Sequence, residues 1–194
     1  SMATGKQLNG PLGPEYDPRG LVPVSGYRGS MVCGSGISAG AGTLYRSVVT
    51  NENGLIKTVI TLDLTGLKSG ASAGDIIGVS GAANCHLGQV TDAVNGRVFR
   101  GQISCQTIPA TGEPDIDVAI GTAATGTQDA AASGLAGYVL CYDHAADYTL
   151  QGQTAAFASV PTANTYIYLV TSGGADTAVY TAGKVVIELW GVPV

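Results

Sequence analysis

The chain has 194 residues, a length typical of one domain, and it is rich in glycine (29 residues) and poor in charged residues (12%). This composition excludes a coiled coil, a helical bundle and a charged disordered tail, and no apolar run approaches the ~20 residues of a membrane-spanning helix. Nine basic and fourteen acidic residues give a net charge of −5, so a phosphate backbone is repelled and we expect neither nucleic acid nor a membrane as a partner.

The first 42 residues differ in composition from the rest. They hold four of the eight prolines and a glycine-rich tract at 34–42, which disfavour a helix or strand of their own. Apolar side chains still punctuate this stretch, among them Leu21, Val24 and Tyr27, and they are costly to leave in water. We predict an extended arm over 1–42 that contacts a neighbouring subunit or a capsid, followed by a folded domain over 43–194.

Two Asn-Gly pairs predict β-hairpins, because Asn and Gly tolerate the positive φ of a tight turn. Asn53–Gly54 separates two apolar runs at 44–49 and 55–64, and the second run alternates apolar and polar residues as a half-buried strand does. Asn95–Gly96 separates runs at 86–94 and 97–106 and predicts a second hairpin.

Further strands are predicted at 75–80, 115–120, 135–142, 165–171, 177–180 and 184–190, with one helical turn at 128–133. Nine or ten short strands separated by turn residues are typical of an all-β, antiparallel sandwich. We predict an antiparallel β-sandwich of jelly-roll type. Its inward-facing residues are predicted from the period-2 pattern: Ile56, Ile60, Leu62, Leu64, Ile116, Val118, Ile120, Ile187 and Leu189.

Motifs for nucleotide binding and nucleophilic catalysis are incomplete. The tract from Gly34 to Ala39 fits a G-x-G-x-x-A fingerprint, but poor helix formers follow it and no βαβ pattern surrounds it. Ser80 lacks the final glycine and the following helix of a nucleophile elbow. His86 and His144 are the only histidines, and neither belongs to a recognisable catalytic motif. We expect no catalytic residue and no cofactor.

Two clusters of acidic residues are candidate metal ligands. Asp115 and Asp117 project from one face of a strand, where paired carboxylates could hold calcium. Alternatively, they form the solvated face opposite Ile116 and Val118, which is the simpler interpretation. Asp143, His144 and Asp147 form a second cluster of oxygen and nitrogen groups. No metal site is predicted from either, although the pattern leaves calcium binding open.

Tyrosines and cysteines complete the candidate residues. Tyr166 and Tyr168 share one face of a strand, which predicts either the outer cover of a sheet or a surface for a sugar or another subunit. The cysteines match no zinc or redox spacing and are interpreted as reduced core-filling thiols, with a Cys85–Cys105 pairing left open.

The stretch from Lys57 to about Val192 resembles virion structural proteins of tailed bacteriophages, notably those of marine bacteria. The similarity is carried by Thr58-Val-Ile-Thr-Leu-Asp-Leu-Thr-Gly-Leu, Gly74-Asp75-Ile-Ile-Gly78-Val, Leu87-Gly-Gln, Val94-Asn-Gly and Gly112-Glu-Pro-Asp-Ile-Asp117. These are turn and strand signatures, cover about two thirds of the chain and include no catalytic residue.

The resemblance implies a non-enzymatic virion component that decorates or stabilises a capsid or forms part of a fibre-like appendage. It also implies a homo-oligomer, with a trimer favoured, that contacts other virion proteins. The alternative is a receptor- or glycan-binding head that uses exposed tyrosines. The predicted interface residues are Leu21, Val24, Tyr27, Tyr166 and Tyr168.

Overall fold

The computed structural model describes residues 25–144, 146–173 and 177–194. Strands make up 47% and helices 7%, so the predicted all-β class is confirmed. The strands are β1 (Ser25–Gly29), β2 (Leu44–Glu52), β3 (Leu55–Asp63), β4 (His86–Val90), β5 (Arg97–Ala110), β6 (Ile116–Gly121), β7 (Val139–Tyr142), β8 (Thr154–Ala156), β9 (Thr165–Thr171) and β10 (Ala182–Val192). The helices are α1 (Ser35–Ser38), α2 (Asp92–Asn95) and a 3₁₀ turn at Ala132–Gly134.

Two antiparallel sheets enclose the core. The larger has the order β1-β2-β3-β10-β5-β8 and the smaller the order β4-β9-β6-β7. All nine residues predicted to face inward are buried, with 2% of their surface exposed or less. Alternation along β3 therefore identified the inner face correctly, because a sheet with one covered face buries every second side chain.

The first predicted hairpin is confirmed and the second is wrong. Asn53 and Gly54 have φ values of 54° and 85° and join β2 to β3 in register. By contrast, β4 and β5 belong to different sheets, and Asn95–Gly96 instead ends α2. Asn95 is buried there, since its amide donates to Thr58 Oγ1 at 2.9 Å. The dipeptide terminates a helix at the crossing between sheets.

Other predicted elements are shortened. Segments 75–80 and 177–180 contribute only isolated bridges, and the predicted helical turn is the 3₁₀ turn a few residues later. The three-residue strand β8 was not predicted, because Thr154–Ala156 is too short to show a period. None of the helices in the described ranges has the length and apolar character needed to cross a bilayer.

The predicted arm boundary at residue 42 is wrong. β1 pairs with β2 at the edge of the larger sheet, and α1 places Ile37 in the core with no exposed surface. Met31 is 5% exposed and also packs in the core. Residues 25–42 are thus part of the sandwich, whereas Leu21 and Val24 lie outside the described residues. The glycine tract contains α1, and its backbone also bonds directly to the segment before and at the start of β4, at Asn84 and His86.

Candidate functional site

The Gly34–Ala39 tract has a packing role that accounts for its glycines. Gly34 N donates to His86 O at 2.9 Å and Gly36 N donates to Asn84 O at 3.2 Å. A Cβ at Gly34 would lie 1.9 Å from Asn84 O, and one at Gly36 would lie 2.5 Å from Cys85 Sγ. The helix in this tract, α1, is only four residues long, and the following strand β2 pairs antiparallel with β1, so the tract lacks the βαβ unit of a dinucleotide site.

Ser80 lies in a tight turn, in which Ala82 N donates to Val79 O at 2.9 Å. The next regular element is strand β4, not a helix. The turn therefore lacks the strand-to-helix geometry that exposes the nucleophile in an elbow.

The two acidic clusters of the sequence meet at one end of the smaller sheet. Asp115 precedes β6 and Asp117 lies within it, while His144 follows the neighbouring strand β7. His144 N donates to Asp117 Oδ1 at 2.5 Å, and His144 Nδ1 lies 3.2 Å from Asp115 Oδ1. The Tyr148 ring stacks on the imidazole, with centroids 4.2 Å apart. Sequence spacing could not bring these residues together, since Asp115 and His144 are 29 positions apart.

The expectation that Asp115 and Asp117 form a solvated face is wrong. They are 9% and 5% exposed, because every residue of β6 is buried and both His144 and Tyr148 pack over this end of the strand. Burial raises the pKa of Asp115, although the nearby His144 opposes that rise. Burial also raises the pKa of Asp117 to about 6, although the hydrogen bond from His144 N lowers that pKa in part. Both shifts reflect the cost of keeping a charged carboxylate away from water.

The hydrogen bonds around His144 determine its tautomer. Gln153 Oε1 accepts from Thr149 N at 3.4 Å, so the Gln153 amide nitrogen donates to His144 Nε2 at 2.9 Å. The Nδ1 atom then carries the proton and donates a hydrogen bond to Asp115 Oδ1. A histidine oriented by a carboxylate resembles half of a catalytic triad, but here Gln153 occupies the nitrogen that a general base presents to its nucleophile.

Asp143 and Asp147, the remaining members of the predicted second cluster, are exposed. Within the described part of the chain, no group of three His, Cys, Asp or Glu side chains is placed to hold a metal ion. The hydrogen bonds of His144 to Asp115 and Asp117 tie the β7–β8 connection to β6.

Tyr166 and Tyr168 have different environments. Tyr168 is fully buried; its hydroxyl donates to Ala123 O at 2.5 Å and accepts from Gly126 N at 3.3 Å. The prediction of Tyr168 as an interface residue is therefore wrong, because the 123–126 loop covers that face of β9. Tyr166 is half-buried and packs against His86, with ring centroids 4.7 Å apart, at the wall of a surface cavity.

Tyr27 remains available at the surface. It is 71% exposed on β1, the edge strand of the larger sheet, and lies opposite Thr50. Leu44, at the start of β2, is 70% exposed and lies opposite Asp63. Both positions fall on the outer face, since residues at alternate positions of β3 face the core. An exposed apolar edge of this kind is a template for association.

All four cysteines are free thiols. Cys85, Cys105 and Cys141 are buried and Cys33 is half-buried, which agrees with their interpretation as core-filling residues for all but Cys33. Burial raises the pKa of Cys85 to about 11 and that of Cys141 to about 12. These thiols are therefore protonated at neutral pH.

Comparison with known proteins yields no relative. No family model, curated protein or solved structure matches this chain.

Proposed function

We propose that this chain is a non-enzymatic virion structural protein of a tailed bacteriophage, built on a jelly-roll sandwich. In this role it decorates or stabilises the capsid or forms part of a fibre-like appendage, as a homo-oligomer for which a trimer is favoured. The observation that carries the proposal is the order of the last eight strands.

The pairings of these strands support a jelly roll. The first pairs with the last (β3 with β10), the second with the seventh (β4 with β9), the third with the sixth (β5 with β8), and the two central strands pair with each other (β6 with β7). This is the pairing of one long two-stranded ribbon. Wrapping the ribbon gives two four-stranded sheets, ordered β3-β10-β5-β8 and β4-β9-β6-β7. Viral capsid and lectin domains commonly use this double-sheet architecture.

The edge strands support self-association. β1 and β2 extend the larger sheet beyond the eight-stranded unit, and no strand within the described residues pairs with the outer side of β1. Tyr27 and Leu44 lie on this extension and expose most of their surface. A second copy of the chain is the partner that a symmetric oligomer requires at such a surface, and burying both side chains would favour assembly.

The chemistry of the described residues favours a structural role over catalysis. His144 is held between Asp115 and Gln153, with both ring nitrogens engaged, and it has no free position for proton transfer to a substrate. The proposal predicts that screens against esterase and glycosidase substrates yield no turnover. Activity that His144→Ala or His86→Ala abolishes would contradict the non-enzymatic role.

Light scattering tests the oligomer. The expected mass is three times the chain mass of 19.4 kDa. Leu44→Arg should reduce this mass by placing a charge in the proposed contact, while Leu150→Arg, a matched change at a residue that is 68% exposed elsewhere, should not. A wild-type monomer at high protein concentration, or equal masses for the two variants, would refute this interface.

Antibody labelling of intact phage particles tests the virion role. Particles should bind the antibody at the capsid surface or along an appendage, and free recombinant protein should compete for it. Particles that carry the gene for this chain but no antigen, as judged by mass spectrometry of purified virions, would refute the role.

A further inference from the structure

A surface cavity of about 480 Å³ lies beside the edge strand of the smaller sheet. One wall is the segment 30–35, which follows β1, and the opposite wall is formed by β4 together with Tyr166 of β9. Backbone bonding between Gly34 and His86 holds the two walls together at the base. The volume falls within the roughly 300–1,000 Å³ range of small-molecule sites.

The lining combines an aromatic ring with uncharged polar groups. Tyr166 lies beside His86, and Asn84 and Gln89 contribute amide side chains that both donate and accept hydrogen bonds. Hydroxyl groups and apolar side chains also contribute to the lining, among them Ser30, Ser35, Thr91, Met31, Val32 and Val94.

Charge is missing from this lining. None of the lining residues in the described part of the chain is Asp, Glu, Lys or Arg. Arg28 does not line the cavity, and its guanidinium donates to the backbone oxygens of Ala93 and Val94. Burial lowers the pKa of His86, so its imidazole is neutral at neutral pH. Phosphate and carboxylate ligands would thus find no counter-charge here.

His86 carries an unused hydrogen-bonding atom. Its Nδ1 is buried and has no hydrogen-bond partner among the residues that the structure describes. A buried polar atom of this kind is costly and marks a place where a structure is not optimised for folding alone. It lies in the same ring that packs against Tyr166 in the cavity wall.

We propose that this cavity binds a neutral carbohydrate, with Tyr166 packing against the sugar ring and Asn84 and Gln89 bonding its hydroxyls. A sugar offers an apolar C–H face and a ring of neutral hydroxyl groups, and this pairing matches an amphipathic tyrosine flanked by amides. The inference goes beyond the structural role proposed above and does not depend on it. It gives the protein a means to engage surface glycans.

Saturation-transfer NMR on the full-length protein tests this site. The probes are methyl α-glucoside, methyl β-galactoside and N-acetylglucosamine, with N-acetylneuraminic acid as a charged comparison. We expect transfer to at least one neutral sugar at concentrations up to about 10 mM, the weak regime of single-sugar binding. The charged sugar should show less transfer than the neutral one that binds best.

Matched variants locate the binding. Val32 is 77% exposed at the cavity, and Val32→Trp should fill the opening and abolish transfer. Leu150→Trp adds the same side chain at an exposed site outside the cavity and should leave transfer unchanged. Gln89→Leu should weaken binding about fivefold, as expected for one lost hydrogen bond.

Two results would overturn the proposal: no saturation transfer from the wild-type protein to any neutral sugar, or equal transfer from the Val32→Trp variant and from the wild-type protein. Light scattering measures the mass of the oligomer and NMR measures sugar binding at the cavity, so either proposal can fail while the other stands.

Discussion

Replacing Ile37 with alanine tests whether the glycine-rich N-terminal segment belongs to the core. Ile37 has no exposed surface and lies in the main hydrophobic cluster, although its helix is only four residues long and lacks a side-chain cap. Such a helix is marginal on its own, so its position depends on tertiary packing. The substitution removes buried methyl and methylene groups and leaves a cavity where the segment meets the sheets.

The expected loss is about 2–5 kcal/mol, the range for Ile→Ala in a packed core. This is a large share of the roughly 5–15 kcal/mol that stabilises a typical domain. With a urea dependence of about 2 kcal/mol per molar, the middle of the ordinary range, the unfolding midpoint should fall by about 1–2.5 M. The fluorescence of Trp190, the single tryptophan, and the far-UV dichroism should report the same transition.

Val32→Ala provides the control, because Val32 lies in the same segment and is 77% exposed. Its effect should stay within about 0.5 kcal/mol, as for most surface substitutions. A chain that begins at Gly42 lacks both Met31 and Ile37, and we expect it to lose the cooperative transition. If Ile37→Ala unfolded at the same urea concentration as Val32→Ala, or if the shortened chain melted like the full one, residues 25–42 would not belong to the core.

Four further predictions rest on individual side chains and their contacts. Gly36→Ala should destabilise the fold by several kcal/mol or prevent folding, because its Cβ would overlap Cys85 Sγ; wild-type stability would show that this contact is not close. Asp117 has a folded pKa of about 6, above the ~3.9 of an unfolded chain, so its contribution to the free energy of unfolding is fully present below pH 4 and is lost as pH rises through about 6. Asp117→Asn should flatten that loss in pH-dependent urea titrations, and an unchanged slope would count against the raised pKa. Iodoacetamide should alkylate the half-buried Cys33 before Cys85, whose pKa is about 11, and mass spectrometry of peptides would reveal the reverse order. Tyr168→Phe should cost about 1–3 kcal/mol by leaving buried backbone groups unpaired, and a neutral effect in thermal unfolding would contradict the hydrogen bonds of its hydroxyl.

Local patterns determined much of the fold from sequence. Alternation along 55–64 identified the inner face of β3, since neighbouring side chains of a strand point to opposite faces whatever the rest of the chain does. Asn53–Gly54 predicted its hairpin because Asn and Gly both tolerate the positive φ that the turn requires, and both residues adopt it here. The strand at Thr165–Thr171 was predicted with its bounds, because β-branched and aromatic residues concentrate there.

Only the tertiary structure decided which elements meet. The same Asn-Gly dipeptide ends a helix at Asn95, because β4 and β5 join different sheets and the chain must cross between them. Asp115 and Asp117 are buried, although alternation placed them on a solvated face, because a distant loop carrying His144 covers that face. The 123–126 loop buries Tyr168 in the same way. Period-2 patterning indicates which residues share a face of a strand. Whether that face is buried depends on contacts between segments far apart in the chain.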